Sequence, residues 1–168
     1  ASQLAQFNSV EQLIGVNNGL SELSQSQQLM RTEMTNSMAS SLTGKEVRAL
    51  SDKVNLEAGK DANINYDLGN TASEVEIIIR DSSGSEVRRA TIDGAGEGEN
   101  SWKWDGKSND GVEVPDGQYN VEINATNGDK SVKSRMFIEG IANKVRFTGE
   151  GVKISIDGVE VPIGDIET

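Results

Sequence analysis

The residues best placed to do chemistry lie between Trp102 and Tyr119. There Trp102-Lys103-Trp104-Asp105-Gly106 is followed by Asn109-Asp110-Gly111 and then by Pro115-Asp116-Gly117-Gln118-Tyr119. Three aspartates so close together raise the possibility of a calcium loop. The helix-loop-helix type needs oxygen ligands at loop positions 1, 3 and 5, a glycine at 6 and a glutamate at 12. Counting from Asp105, the third position is Lys107, which repels a cation, and the sixth is Asp110. The register fails, and turn formation accounts better for the pattern. Gly106, Gly111 and Gly117 would then supply the positive-φ backbone that other residues reach only at a cost. In strand geometry Trp102 and Trp104 share a face, and two tryptophans among seven aromatics are expected to dominate a core.

Other routes to catalysis close quickly. The 168-residue chain has no His and no Cys. That removes zinc sites of the usual ligand types, thiol nucleophiles, disulfides and every triad with an imidazole base. Serines are plentiful but have no base to activate them. Among 27 acidic residues some pair will lie at glycosidase spacing by chance, yet no aromatic platform accompanies them. Gly94-Ala95-Gly96-Glu97-Gly98 lacks the strand–helix setting and the lysine of a phosphate loop, and reads as a flexible connection. No catalytic, cofactor-binding or metal site is assigned, and no cofactor is expected. The net charge of −11 argues against a ligand for nucleic acid or anionic membrane, and no apolar run is long enough to insert in a bilayer. A cysteine-free chain suits the cytosol, and equally a protein exported unfolded, which has no thiol to misbridge.

Two kinds of element must position these residues. Residues 1–43 form a polar helical segment: residues 1–44 hold four charges, while 21 of the 44 are Ser, Thr, Asn or Gln. Leu13, Val16, Leu20, Leu23, Met30 and Met34 step by three and four, with Gln27 as the one polar interruption, and make a heptad-like seam. Leu4, Phe7, Val10 and Ile14 form a second stripe out of phase with it. Gly15 and Gly19 each cost about 0.8–1 kcal/mol relative to alanine. A break is therefore expected near residues 15–19, with a firmer helix over 20–41. So narrow a seam cannot fold alone. It can dock on the chain's own β region, associate with a copy or another protein, or stay disordered in isolation.

The remainder reads as β. Ile64, Tyr66 and Leu68 alternate, as do Val75, Ile77 and Ile79; Tyr119, Val121, Ile123 and Ala125; Val132, Met136 and Ile138; Val145 and Phe147; and Val152, Ile154 and Ile156. Asp81-Ser82-Ser83-Gly84, Asp93-Gly94, Asn127-Gly128 and Asp157-Gly158 mark turns between them. Nine or ten such strands over the residues after Gly44 are slightly too many for one seven-stranded sandwich, and residues 62–138 have the right length for a sandwich by themselves. The flanks, residues 44–61 and 139–168, are each too short for a core and together would close one small barrel or sheet.

Particular residues also carry a resemblance. Gln3-Leu4-Ala5-Gln6-Phe7-Asn8-Ser9-Val10-Glu11-Gln12-Leu13, Leu42-Thr43-Gly44-Lys45-Glu46-Val47, and Trp104-Asp105-Gly106 with Gly111, Pro115, Gly117 and Tyr119 resemble segments of the bacterial flagellar hook-capping family. So do Val145-Arg146-Phe147, Gly151-Val152, Asp157-Gly158-Val159 and Asp165-Ile166, in the same order along the chain. The resemblance implies a mainly β protein with an N-terminal helical segment. A fibronectin type III or Ig-like sandwich would be inserted into a small Tudor-like β-barrel. It implies a non-enzymatic scaffold that promotes addition of hook subunits, with hook protein, further copies of itself (a homo-oligomeric cap, pentameric in family descriptions) and the flagellar type III export apparatus as partners. The protein would be cytoplasmic before export and would act at the distal tip of the growing hook. Family members begin with a longer polar region carrying export information, so the resemblance also implies that Ala1 opens a trimmed core. A surface- or carbohydrate-binding β-sandwich module is the competing expectation.

Overall fold

A computed structural model describes residues 1–167. They form two compact units, Ala1–Ser41 and the residues from Leu42 onward. The first is one continuous helix, α1, Ser2–Leu42. It does not break at Gly15 or Gly19. No proline interrupts it, and once turns exist on both sides, carrying the hydrogen-bond ladder through two glycines costs less than nucleating a second helix. Several of its hydroxyls bond within the helix: Ser9, Thr32, Thr35 and Ser40 donate to the carbonyls four residues back at 2.8–3.0 Å.

The second unit is built from strands β1 (Glu46–Leu50), β2 (Lys53–Leu56), β3 (Ala62–Leu68), β4 (Ala72–Arg80), β5 (Glu86–Ala95), β6 (Gly98–Trp104), β7 (Gly117–Asn127), β8 (Lys130–Val132), β9 (Ser134–Thr148), β10 (Gly151–Ile156), β11 (Val159–Pro162) and β12 (Ile166–Glu167), with a short 3-10 turn at Ile163–Asp165. Pairing among them is antiparallel throughout. One sheet runs β2-β7-β4-β5 with β8 beside β7; the other runs β11-β10-β9-β1-β12 and also takes in β3, on β9, and β6, on β3. Strand β9 joins the parts. Its first half pairs with β3 and β1, and its second half, from Ala142, pairs with β10.

Most of the alternating runs bury one face, but Val145 and Phe147 do not, since Val145 is half-buried and Phe147 is exposed. Ile64, Tyr66 and Leu68 are buried, as are Val75, Ile77 and Ile79 opposite, and Ile154, Ile156, Val159 and Val161 fill the C-terminal strands. Asp157 (φ 47°) and Gly158 (φ 83°) form a two-residue connection between β10 and β11, the primed turn whose twist suits a hairpin.

Three expectations need correction. The flanking strands do not close into a barrel. Among the described residues β11 and β12 are the two ends of the strand order, and β12 contributes only two pairs, Arg48↔Glu167 and Ala49↔Ile166. Closure requires a staggered strand on both sides of the seam, and two residues cannot supply it. Strand β2 lies in the other sheet, on β7. Asp93-Gly94 is not a turn but lies inside β5, where Gly94 keeps a positive φ. Among the described residues there are twelve strands rather than nine or ten, because strands as short as β2, β8 and β12 show no clear period.

Candidate association surface

Helix α1 places a side chain every 100° around its axis. On that wheel Leu13, Val16, Leu20, Leu23, Gln27, Met30 and Met34 fall within a stripe about 100° wide, the width of a packing face. Every one of them is in water: the apolar six are 55–69% exposed. Met38, one four-residue step beyond Met34, extends the row and is 43% exposed. The step was readable from the sequence, but it falls outside the seam as first drawn. Leu4, Phe7, Val10 and Ile14 are also exposed and centre on the opposite side, about 160° away. Ala39 is the helix's buried residue.

The motif between Trp102 and Tyr119 has another use. Trp104 is wholly buried; its Nε1 donates to the Lys107 carbonyl at 2.9 Å, and its ring meets Tyr119 edge to face at 5.1 Å and 79°. The Tyr119 hydroxyl donates to the Pro115 carbonyl at 2.6 Å, and burial, with Asp81 and Asp116 adding to it, raises its pKa. Asp105 Oδ1 accepts the Lys107 amide at 3.1 Å, and the amides of Gly111 and Val114 bond the carbonyls of Ser108 and Gly106. Gly106, Gly111 and Gly117 all have positive φ. At Gly106 space is tight as well, because a Cβ would lie 3.2 Å from Leu56 Cδ1. The motif therefore ties one loop to the sandwich core. Trp102 does not share that role. It is only half-buried, although it lies on the same strand as the wholly buried Trp104.

Among the described residues no group of three or more acidic side chains is arranged to hold a metal ion. A groove of about 500 Å³ is walled by Glu46, Asn55, Lys60, Asp61, Glu139 and Asp157, and it is open to solvent. Among the described residues the aromatics do not cluster at the surface: Tyr66, Trp104, Tyr119 and Phe137 are buried, Trp102 is half-buried, and Phe7 and Phe147 are exposed on separate elements. On the outer face of β1 and β9, Arg48 lies 4.0 Å above the Phe137 ring and pairs with Glu99 and Glu139, both at 2.5 Å. Hydrogen bonds to Glu99 first, and then to Glu139, raise the Arg48 pKa, and the same bond lowers that of Glu99.

The fold is an antiparallel two-sheet β unit preceded by a long helix whose seam side chains are exposed. Residues 51–129 match the family model of the FlgD Ig-like domain. The basal-body rod modification protein FlgD of Salmonella typhimurium is 40% identical over 62 residues, which is 37% of this chain and 27% of that protein. The protein of the same name from Buchnera aphidicola is 26% identical over 160 residues, 93% of this chain and 67% of its own length. The chain therefore aligns with only about a quarter of the length of the Salmonella relative. Crystal structures of FlgD from P. aeruginosa and from Xanthomonas campestris superpose with TM-scores of 0.63 and 0.61. Each is 21% identical, and each covers 75% of this chain and 96% or 92% of its own. The Xanthomonas protein was described for hook capping essential to flagellar assembly. The chain is thus similar to FlgD proteins, and its residues 51–129 to the FlgD Ig-like domain, in agreement with the resemblance carried by its residues. These matches give no support to a carbohydrate-binding module.

Proposed function

We propose that this chain is the scaffold portion of a flagellar hook cap, which promotes polymerisation of hook subunits at the distal end of the growing hook without catalysing a covalent step. The exposed row from Leu13 to Met38 carries this reading. Fully burying a Leu or Met side chain is worth about 1.5–3 kcal/mol, and the helix gains that only when another polypeptide covers it. Its partners are hook subunits and further copies of the cap protein. The β unit serves as a rigid body, with residues 62–138 as the sandwich and residues 44–61 with 139–168 as the module that flanks it. A chain without Cys, whose helix draws little stability from its own packing, also suits passage through the flagellar export apparatus in unfolded form, from the cytoplasm to the hook tip.

Substitution of Leu20 and Leu23 by Asp tests the reading. Both side chains are exposed, so the β unit should keep its thermal unfolding curve, while binding to hook subunits or to sister caps should be lost. In a strain lacking its own cap protein, full-length protein carrying the double substitution should fail to support hook growth. Normal hooks in that strain, together with unchanged binding, contradict the proposal.

A further inference from the structure

The exposed row on α1 changes its chemistry partway along the helix. Up to Leu23 its apolar members are Leu13, Val16, Leu20 and Leu23, all hydrocarbon; past Gln27 they are Met30, Met34 and Met38, all thioethers. These three stand four residues apart, which keeps them within about 80° of one another around the axis and about 6 Å apart along it. They are 65%, 69% and 43% exposed. The chain has four methionines in all. The fourth, Met136 on β9, is buried in the β unit at 9% exposure. Accessible thioether sulfur is thus confined to one short stretch of one helix face.

Leucine would fill the same contact. The two side chains are close in volume and exchange at small cost. What sets methionine apart is its sulfur, which is open to oxidation where solvent reaches it. The sulfur lone pair attacks one oxygen of hydrogen peroxide: an S–O bond forms, the O–O bond breaks, and water leaves. The sulfur gives up two electrons, and the peroxide takes them. The product is a sulfoxide, whose oxygen is a strong hydrogen-bond acceptor. Water satisfies that oxygen while the helix is free. Beneath an apolar partner face it would have no donor, and a buried polar atom without a partner opposes binding. A partner already covering the row shuts peroxide out. Docking and oxidation therefore exclude one another.

We propose that Met30, Met34 and Met38 form a peroxide-oxidation site whose conversion to sulfoxides keeps α1 from docking. The inference rests on the association reading of the helix and deepens it by naming a chemical regulation of the same face. A chain oxidised while free stays free, and a chain docked first is shielded. Methionine sulfoxide reductases, which return the sulfoxide to the thioether, reverse the block. Because Met136 is buried, the β fold outlasts the modification.

Hydrogen peroxide added to the intact chain, followed by peptide mass mapping, tests the site. Met30, Met34 and Met38 should each gain oxygen about tenfold or more faster than Met136. Association is then read with purified hook protein and by sedimentation of the chain itself. The oxidised chain, cleared of peroxide, should associate more weakly by about tenfold or more, and sulfoxide reductases should restore it. The Met30→Leu/Met34→Leu/Met38→Leu chain should associate like untreated wild type both before and after peroxide. Oxidation of Met136 as fast as the other three overturns the proposal and leaves the association reading standing. So does association that survives complete oxidation of the row, or a leucine-substituted chain that loses association on treatment as wild type does. If neither untreated chain associates with hook protein or with itself, the association reading falls and the switch falls with it.

Discussion

Leu20 and Leu23 on α1 and Ile77 and Ile79 on β4 are nearly equal in size and hydrophobicity, yet the leucines are 59% and 55% exposed and the isoleucines are fully buried. Within β4 each isoleucine has the opposite sheet to cover it, so its burial stabilises this chain alone. In the proposed assembly the same free energy at Leu20 is released on contact with a second polypeptide. Mutations should therefore separate the two regions cleanly: changes in the β unit act on folding, and changes on the helix act on assembly.

The largest effect should come from Trp104→Ala. Removing a buried tryptophan costs about 3–5 kcal/mol, and here the Lys107 carbonyl also loses its donor. Thermal unfolding followed by near-UV circular dichroism should drop sharply; a change of only a few degrees would place the sandwich core elsewhere. Gly106→Ala should cost about 1–2 kcal/mol for its left-handed backbone, and slightly more because Leu56 must give way; denaturant titration measures it. On the helix the sign reverses. Gly15 and Gly19 have nothing within 4 Å of an added Cβ, so alanine at either position should stabilise the helix by about 0.8–1 kcal/mol. Far-UV helicity should rise while the β transition stays in place.

The smallest effect concerns acid. Arg48 lowers the Glu99 pKa below its ordinary 4.5, so folding strengthens the negative form. That contribution is fully present above 4.5 and is lost as pH falls through the lowered folded value. The gap in unfolding temperature between wild type and Glu99→Gln should be open at neutral pH and close as the solution becomes more acidic than that. A gap that persists at the acid end would assign the effect to packing over Phe137 rather than to charge.

Much of this division was legible in the residues. Ile64, Tyr66 and Leu68 announce a strand because one face is dry and the period of two survives. The heptad from Leu13 to Met34 was equally plain because its polar surroundings make apolar positions stand out. Strand β5 was not, because an edge strand carrying Arg88, Arg89 and Asp93 has no clean dry face. The break expected at Gly15 and Gly19 weighed local propensity above the cooperativity of a 41-residue helix. The barrel failed for another reason: whether β11 reaches β12 depends on pairing between distant segments, and no local pattern records it.

Sedimentation equilibrium of the intact chain beside the Leu20→Asp/Leu23→Asp chain, over a wide concentration range, tests the central claim most directly. The account predicts a wild-type mass that climbs above the monomer with concentration and a variant that stays monomeric with an unchanged β unfolding transition. Identical masses for the two chains at every concentration would contradict it.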